Sequence, residues 1–118
     1  MNTAMEADSI DTGIAARLFH ALSDPTRLAI LQCLRGKERR VSDIVDRVGS
    51  SQPNISNHLS CLKGCGLVVD RPGARRQVFY SIARPEVIDL LDTADQFLAA
   101  SGGLVDVCAN PLMPRRRS

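Results

Sequence analysis

The amino-acid sequence predicts a mainly α domain with a small β-hairpin, a winged helix-turn-helix, and three observations lead there. Hydrophobic residues make up 44% of the chain but aromatics only 3%, with no Trp. A core of Leu, Val, Ile and Ala suits packed helices better than a β-sandwich. Apolar residues recur at three- and four-residue spacing through a series of segments separated by capping and stop signals. Finally, two β-rich runs flank a basic, turn-rich connector just before the last helical segment. The 118 residues support a single domain, which we place at 11–103, with a flexible N-terminal arm at 1–10 and a C-terminal tail at 104–118.

The elements follow in order. From Thr12 to Leu22, Ile14, Ala15, Leu18, Phe19 and Leu22 share one helical face. Asp24-Pro25 opens a second helix, with Asp as N-cap and Pro at the first helical position, where no amide hydrogen is needed. It carries Leu28, Ile30, Leu31 and Leu34, with Gly36 as its stop. A short third helix runs from a Ser42 cap through Ile44, Val45 and Val48 to Gly49, and Ser50-Ser51-Gln52-Pro53 caps a fourth. Two helices joined by a tight Gly-containing turn make a helix-turn-helix, whose second member, Gln52 to Lys63, is the recognition helix. Leu67 to Asp70 and Gln77 to Ile82 then form a hairpin around Arg71-Pro-Gly-Ala-Arg-Arg76. Arg84-Pro85 opens a last helix, ended by Gly102-Gly103, whose wide apolar face (Val87, Ile88, Leu90, Leu91, Ala94, Phe97, Leu98) suggests a partner helix.

A formal charge of +2 is too mild to diagnose a nucleic-acid binder, but its distribution is uneven. Basic clusters at Lys37, Arg39 and Arg40, at Arg71, Arg75 and Arg76, and at Arg115 to Arg117 are candidate phosphate contacts. No secretory leader or membrane-length apolar run is visible, so a cytoplasmic protein with no membrane partner is expected. In a reducing compartment the four cysteines are left to core packing, metal binding or redox chemistry rather than a disulfide framework. Nothing resembles a hydrolase triad or a phosphate loop, and no enzyme activity is expected.

One stretch narrows the family: Ser56-Asn-His-Leu-Ser-Cys-Leu-Lys-Gly-Cys-Gly-Leu-Val-Val69. Together with Ala21-Leu-Ser-Asp-Pro-Thr-Arg-Leu-Ala-Ile-Leu31 and Arg76-Gln-Val-Phe-Tyr80, it resembles the ArsR/SmtB family of metal-responsive repressors over residues 14 to 100. The resemblance implies a homodimer through the terminal helices and operator binding that metal weakens. It also separates branches by where ligands fall. There is no cysteine near Val41 to Val45, as a third-helix site needs, and no histidine between Pro85 and Ala100, as a fifth-helix zinc site needs. Cysteines on the recognition helix followed by one in the tail resemble the CmtR-like cadmium- and lead-sensing branch. That likeness implies Cys61, Cys65 and Cys108 as ligands, with the tail thiolate supplied by the opposite protomer.

The residues support part of this independently. Stepping about 100° per residue from the buried face of Ile55, Leu59 and Leu62 puts Cys61 and Cys65 about 40° apart on its flank, close enough to share one ion. Two soft thiolates joined by a third suit Cd(II) or Pb(II) as inducer, and As(III) accepts the same set, while Zn(II) more often takes four ligands. Binding must deprotonate the thiols, so affinity should rise with pH across their titration. A thiol-redox-sensing repressor is the competing reading. Against it, Cys61 and Cys65 fall in the last turn, where the helix dipole opposes thiolate. Cys33 is read as a small buried hydrophobe, His58 as a structural hydrogen-bonding group, and His20 as a partly exposed or packing residue.

On the flank away from the cysteines lie Gln52, Ser56, Ser60 and Lys63, with Asn57 on the outer side. Gln52, Ser56 and Asn57 are the base-reading candidates. Arg71, Arg75 and Arg76 at the wing suit backbone or minor-groove contact. The partner is then double-stranded operator DNA, an imperfect inverted repeat with half-sites about one helical turn apart.

Overall fold

The structure is a computed structural model that describes residues 11–102. They fall into two compact units, one ending at Arg84 and the other beginning at Pro85. In the first unit, α1 (Thr12–Leu22) and α2 (Pro25–Cys33) precede a short strand β1 (Arg39–Arg40), α3 (Val41–Val48) and α4 (Gln52–Gly64). Strands β2 (Val68–Pro72) and β3 (Val78–Ile82) follow, with a 3-10 turn at Ala74–Arg76 between them. The second unit holds α5 (Pro85–Ser101).

Local chemistry explains most boundaries. Asp11 caps α1 by accepting from the Gly13 and Ile14 amides at 2.8 and 3.2 Å. Asp24 caps α2 by accepting from the Arg27 amide at 2.9 Å, with Pro25 in the first turn, as the sequence predicts. The third helix departs from expectation. Ser42 does not cap it: the N-cap is Arg40, which makes no side-chain cap bond, and the helix begins at Val41. The reason is tertiary. Arg39 and Arg40 pair antiparallel with Tyr80 and Phe79 of β3, so the chain enters α3 straight from a sheet edge. The Arg39 guanidinium reaches Asp43 in the first turn at 2.8 Å, placing a carboxylate where the helix dipole favours it.

The expected hairpin is therefore a three-stranded sheet in the order β1-β3-β2. In its register Val68 faces Ile82, Asp70 faces Tyr80 and Pro72 faces Val78. Helices α2, α3 and α4 pack on one another, α1 packs on α2, and α4 meets β2. Their core is Ile30, Leu31, Leu34, Ile44, Ile55, Leu59, Leu62 and Val68, each no more than 1% exposed. In the second unit, Val87 and Leu91 of α5 are buried while Phe97 and Leu98 are exposed. No described helix is long and apolar enough to cross a membrane.

Candidate metal centre and nucleic-acid interface

Helix α4 organises both candidate sites. It starts where the Ser51 side chain accepts from the Asn54 amide at 3.3 Å, with Pro53 in the first turn. Its roll is set by Ile55, Leu59 and Leu62, all fully buried. Cys65 is its C-cap residue, and Gly66 follows in a left-handed conformation with φ +79°. From there the Gly66 amide donates to the Lys63 carbonyl at 3.0 Å and the Leu67 amide to the Leu62 carbonyl at 2.9 Å. This pair of bonds is a Schellman closure, which satisfies the last free carbonyls and turns the chain into β2. Cys65 is thus held at a defined place although it lies past the last helical residue.

Cys61 and Cys65 are both exposed free thiols. Their side chains are neighbours, and the Cys65 thiol titrates above the ordinary cysteine range. The main cause is loss of water on the pocket side; the neighbouring Cys61 adds to it, while the Arg27 charge pulls the other way. The two thiols form one wall of an open pocket of about 480 Å³, whose other wall is Ala16, Arg17, His20 and Ala21 of α1. The sequence pattern put both cysteines on one flank of α4, and the structure has them line one pocket, but it gave no sign that α1 lines that pocket too.

The remaining cysteines and His58 lie elsewhere. Cys33 is half-buried on α2, where burial raises its thiol pKa, and it does not line the pocket. His58 points its Nε2 toward Asp24, 3.9 Å away, with its side chain 19% exposed. That separation is too long for the hydrogen bond expected of His58, and it places the recognition helix beside the cap of α2. Cys108 lies outside the described residues. Among the described residues, no three His, Cys, Asp or Glu side chains stand together as a ready-made metal site.

The DNA-facing candidates separate by environment. Gln52, Asn57 and Ser60 are exposed and Ser56 is half-buried. Lys63 is exposed, but its ammonium is paired with Asp70 of β2 at 3.0 Å. Arg71 is likewise committed: it pairs with Glu38 and lies over the Phe79 ring at 4.7 Å. Glu38 is 33 residues away in sequence, so no local pattern could have signalled this strut. Beyond it the wing tip is tightly folded. A Cβ on Gly73 would stand 2.4 Å from the Phe79 ring, and Arg75 and Arg76 both adopt positive φ, 59° and 63°. Both side chains are exposed at the tip.

Residues 24–69, which span α2 through the start of β2, match the family described as bacterial regulatory protein, arsR family. A probable mercury resistance operon repressor from Streptomyces lividans is 42% identical over 93 residues, covering 79% of this chain and 74% of that protein. The chain belongs to the ArsR family. Its members are metal-responsive transcriptional repressors, and this chain is a regulator rather than an enzyme. The regulator CmtR of Mycobacterium tuberculosis is 47% identical over 68 residues, 58% of this chain and 57% of CmtR. Among solved structures, the homodimeric winged helix-turn-helix DNA-binding domain Mb0332 of Mycobacterium bovis superposes with a TM-score of 0.69 at 32% identity. That match covers 83% of this chain and 94% of Mb0332, and the winged helix-turn-helix is the fold of this ArsR protein too.

Proposed function

We propose that this ArsR-family protein binds its operator as a metal-free homodimer and releases it when a soft metal ion binds the thiolates of Cys61 and Cys65. The observation that carries the reading is the position of those thiols: both lining one open pocket, at the end of the helix whose other flank presents Gln52, Ser56, Asn57 and Ser60. The donor set fits the ion class, since paired thiols select soft metals over Mg(II) or Ca(II). Cys108 supplies a third thiolate from the partner's tail, and Cd(II) or Pb(II) is the inducer, in line with the similarity to CmtR.

A second reading takes Hg(II) as inducer. It is favoured by the relative named for mercury resistance and by the thiol pair itself, because Hg(II) is satisfied by two thiolates. As(III) and Zn(II) are the remaining ions, to be ranked by competition. A pure thiol-redox sensor is less well supported, because the raised Cys65 pKa lowers its thiolate fraction at neutral pH.

Exposed Ile14 and Phe19 on α1 and Phe97 and Leu98 on α5 are apolar surface of the kind a homodimer covers. The operator is double-stranded, an inverted repeat with half-sites about one helical turn apart, and the setting is cytoplasmic. Gln52, Ser56 and Asn57 read bases, with Ser60 beside them; Arg75 and Arg76 contact the backbone or minor groove, and Lys63 and Arg71 brace the surface that presents them. The test is a fluorescence-anisotropy titration of operator DNA with reduced protein, repeated at saturating Cd(II), Pb(II) and Hg(II). Operator affinity should fall by about 5- to 150-fold with the cognate ion, the usual range of allosteric coupling. An affinity unchanged by all three ions overturns the regulatory reading.

A further inference from the structure

We infer that His20 of α1 is a further metal ligand, so that the thiol pair and an imidazole from the same protomer hold one ion across the pocket between α1 and α4. The inference rests on the proposed thiolate site and extends it to a residue the sequence pattern reads as partly exposed or packing. His20 lies on the wall facing Cys61 and Cys65 and is exposed, so its ring can reorient quickly. His58, by contrast, is mostly covered and directed at Asp24.

The backbone under His20 is anchored. Its carbonyl accepts from the Ser23 hydroxyl at 2.7 Å and the Ser23 amide at 3.1 Å. The Arg27 guanidinium donates to it through Nη2 at 3.2 Å and, through Nε, to the Ala21 carbonyl at 2.7 Å. The last turn of α1 is thereby fastened to the start of α2, which packs on α4. An imidazole on such a support can turn about its own torsions while its Cα stays in place, and a ligand on a rigid element is the more precise one. As they stand the three side chains do not converge, so ligation requires that turn.

The chemistry is consistent. Two thiolates and one neutral imidazole make a trigonal set of two sulfur donors and one nitrogen. Mixed cysteine and histidine donor sets of this kind are common for zinc and suit other d10 ions. Ligation by His20 would tie α1, with its exposed Ile14 and Phe19, directly to the end of the recognition helix.

The test uses the full-length reduced chain with Cd(II), comparing wild type, His20→Ala, His58→Ala and Cys61→Ser. Affinity is read by chelator competition, thiolate ligation by ultraviolet charge transfer, and imidazole ligation by the ring-nitrogen shifts in long-range proton–nitrogen spectra. Wild type should show a Cd(II)-dependent shift of the His20 ring nitrogens. His20→Ala should bind Cd(II) about tenfold or more weakly while keeping the charge-transfer band, and His58→Ala should match wild type. Unmoved His20 nitrogens, with His20→Ala equal to wild type in affinity, overturn the inference while leaving the thiolate site standing. No charge-transfer band in wild type, or an undiminished one in Cys61→Ser, overturns the thiolate site and the inference with it.

Discussion

The two ends of α4 are built by different means and serve different candidate tasks. Its start is capped by a side chain, Ser51, with Pro53 in the first turn, and carries exposed Gln52 and Asn57 beside half-buried Ser56. Its end is closed by backbone bonds around Gly66 and carries the two thiols. Between them Ile55, Leu59 and Leu62 lock the roll of the whole helix. Under the proposed function, a change at one end would reach the other as a rigid tilt or shift, so an ion on the thiols would alter DNA contacts without touching them.

The largest effect should come from breaking the shared middle. Leu59 is fully buried, so Leu59→Ala should cost about 2–5 kcal/mol in urea unfolding and weaken both sites together. Operator and metal affinities equal to those of wild type in that variant would show the two ends to be independent of the core that joins them. Cys61→Ser should separate the ends: it removes an allosteric coupling of about 1–3 kcal/mol while the metal-free protein keeps its operator affinity. The comparison fails if metal still releases DNA from this variant.

Smaller effects sharpen the comparison at each terminus. A Cβ at Gly66 meets open space, yet its φ is +79°, so Gly66→Ala should cost about 1–2 kcal/mol through backbone strain alone. Thermal unfolding would measure that loss, and the thiol charge-transfer band should weaken before operator binding does. Asp24, which caps α2 and faces His58 of α4, offers the mildest perturbation. Its pKa is lowered chiefly by the Arg27 amide bond, with the His58 and Arg27 charges assisting. Because the folded pKa lies below the unfolded value, the Asp24 contribution is present above about pH 4 and is lost as pH falls through the folded pKa. Asp24→Ala should therefore cost about 1 kcal/mol near pH 7, and the gap to wild type should close on acidification. A gap independent of pH would assign the loss to something other than the carboxylate.

Legibility followed the range of the interactions. The caps at Asp24 and Ser51, the stops at Gly49 and Gly102, and the fully buried Ile55, Leu59 and Leu62 were readable because each depends on residues within one or two turns. The cysteine pair was readable for the same reason, four residues being one helical turn. The entry into α3 was misread at Ser42 because β1 is only two residues long and exists through pairing with β3, about forty residues downstream. The Glu38–Arg71 strut and the placement of His20 opposite the thiols were invisible for the same cause.

The sequence by itself determined the helical class, the helix-turn-helix and the placement of two cysteines one turn apart, because periodicity, capping and a four-residue spacing are properties of neighbours along the chain; the family was legible through the resemblance of the Ser56 to Val69 stretch. Only the tertiary structure decided what faces that pair, which wing arginine is already committed, and where the third helix begins. Each of those depends on segments brought together by a buried core, and the patterns along any one segment carry no record of its partner.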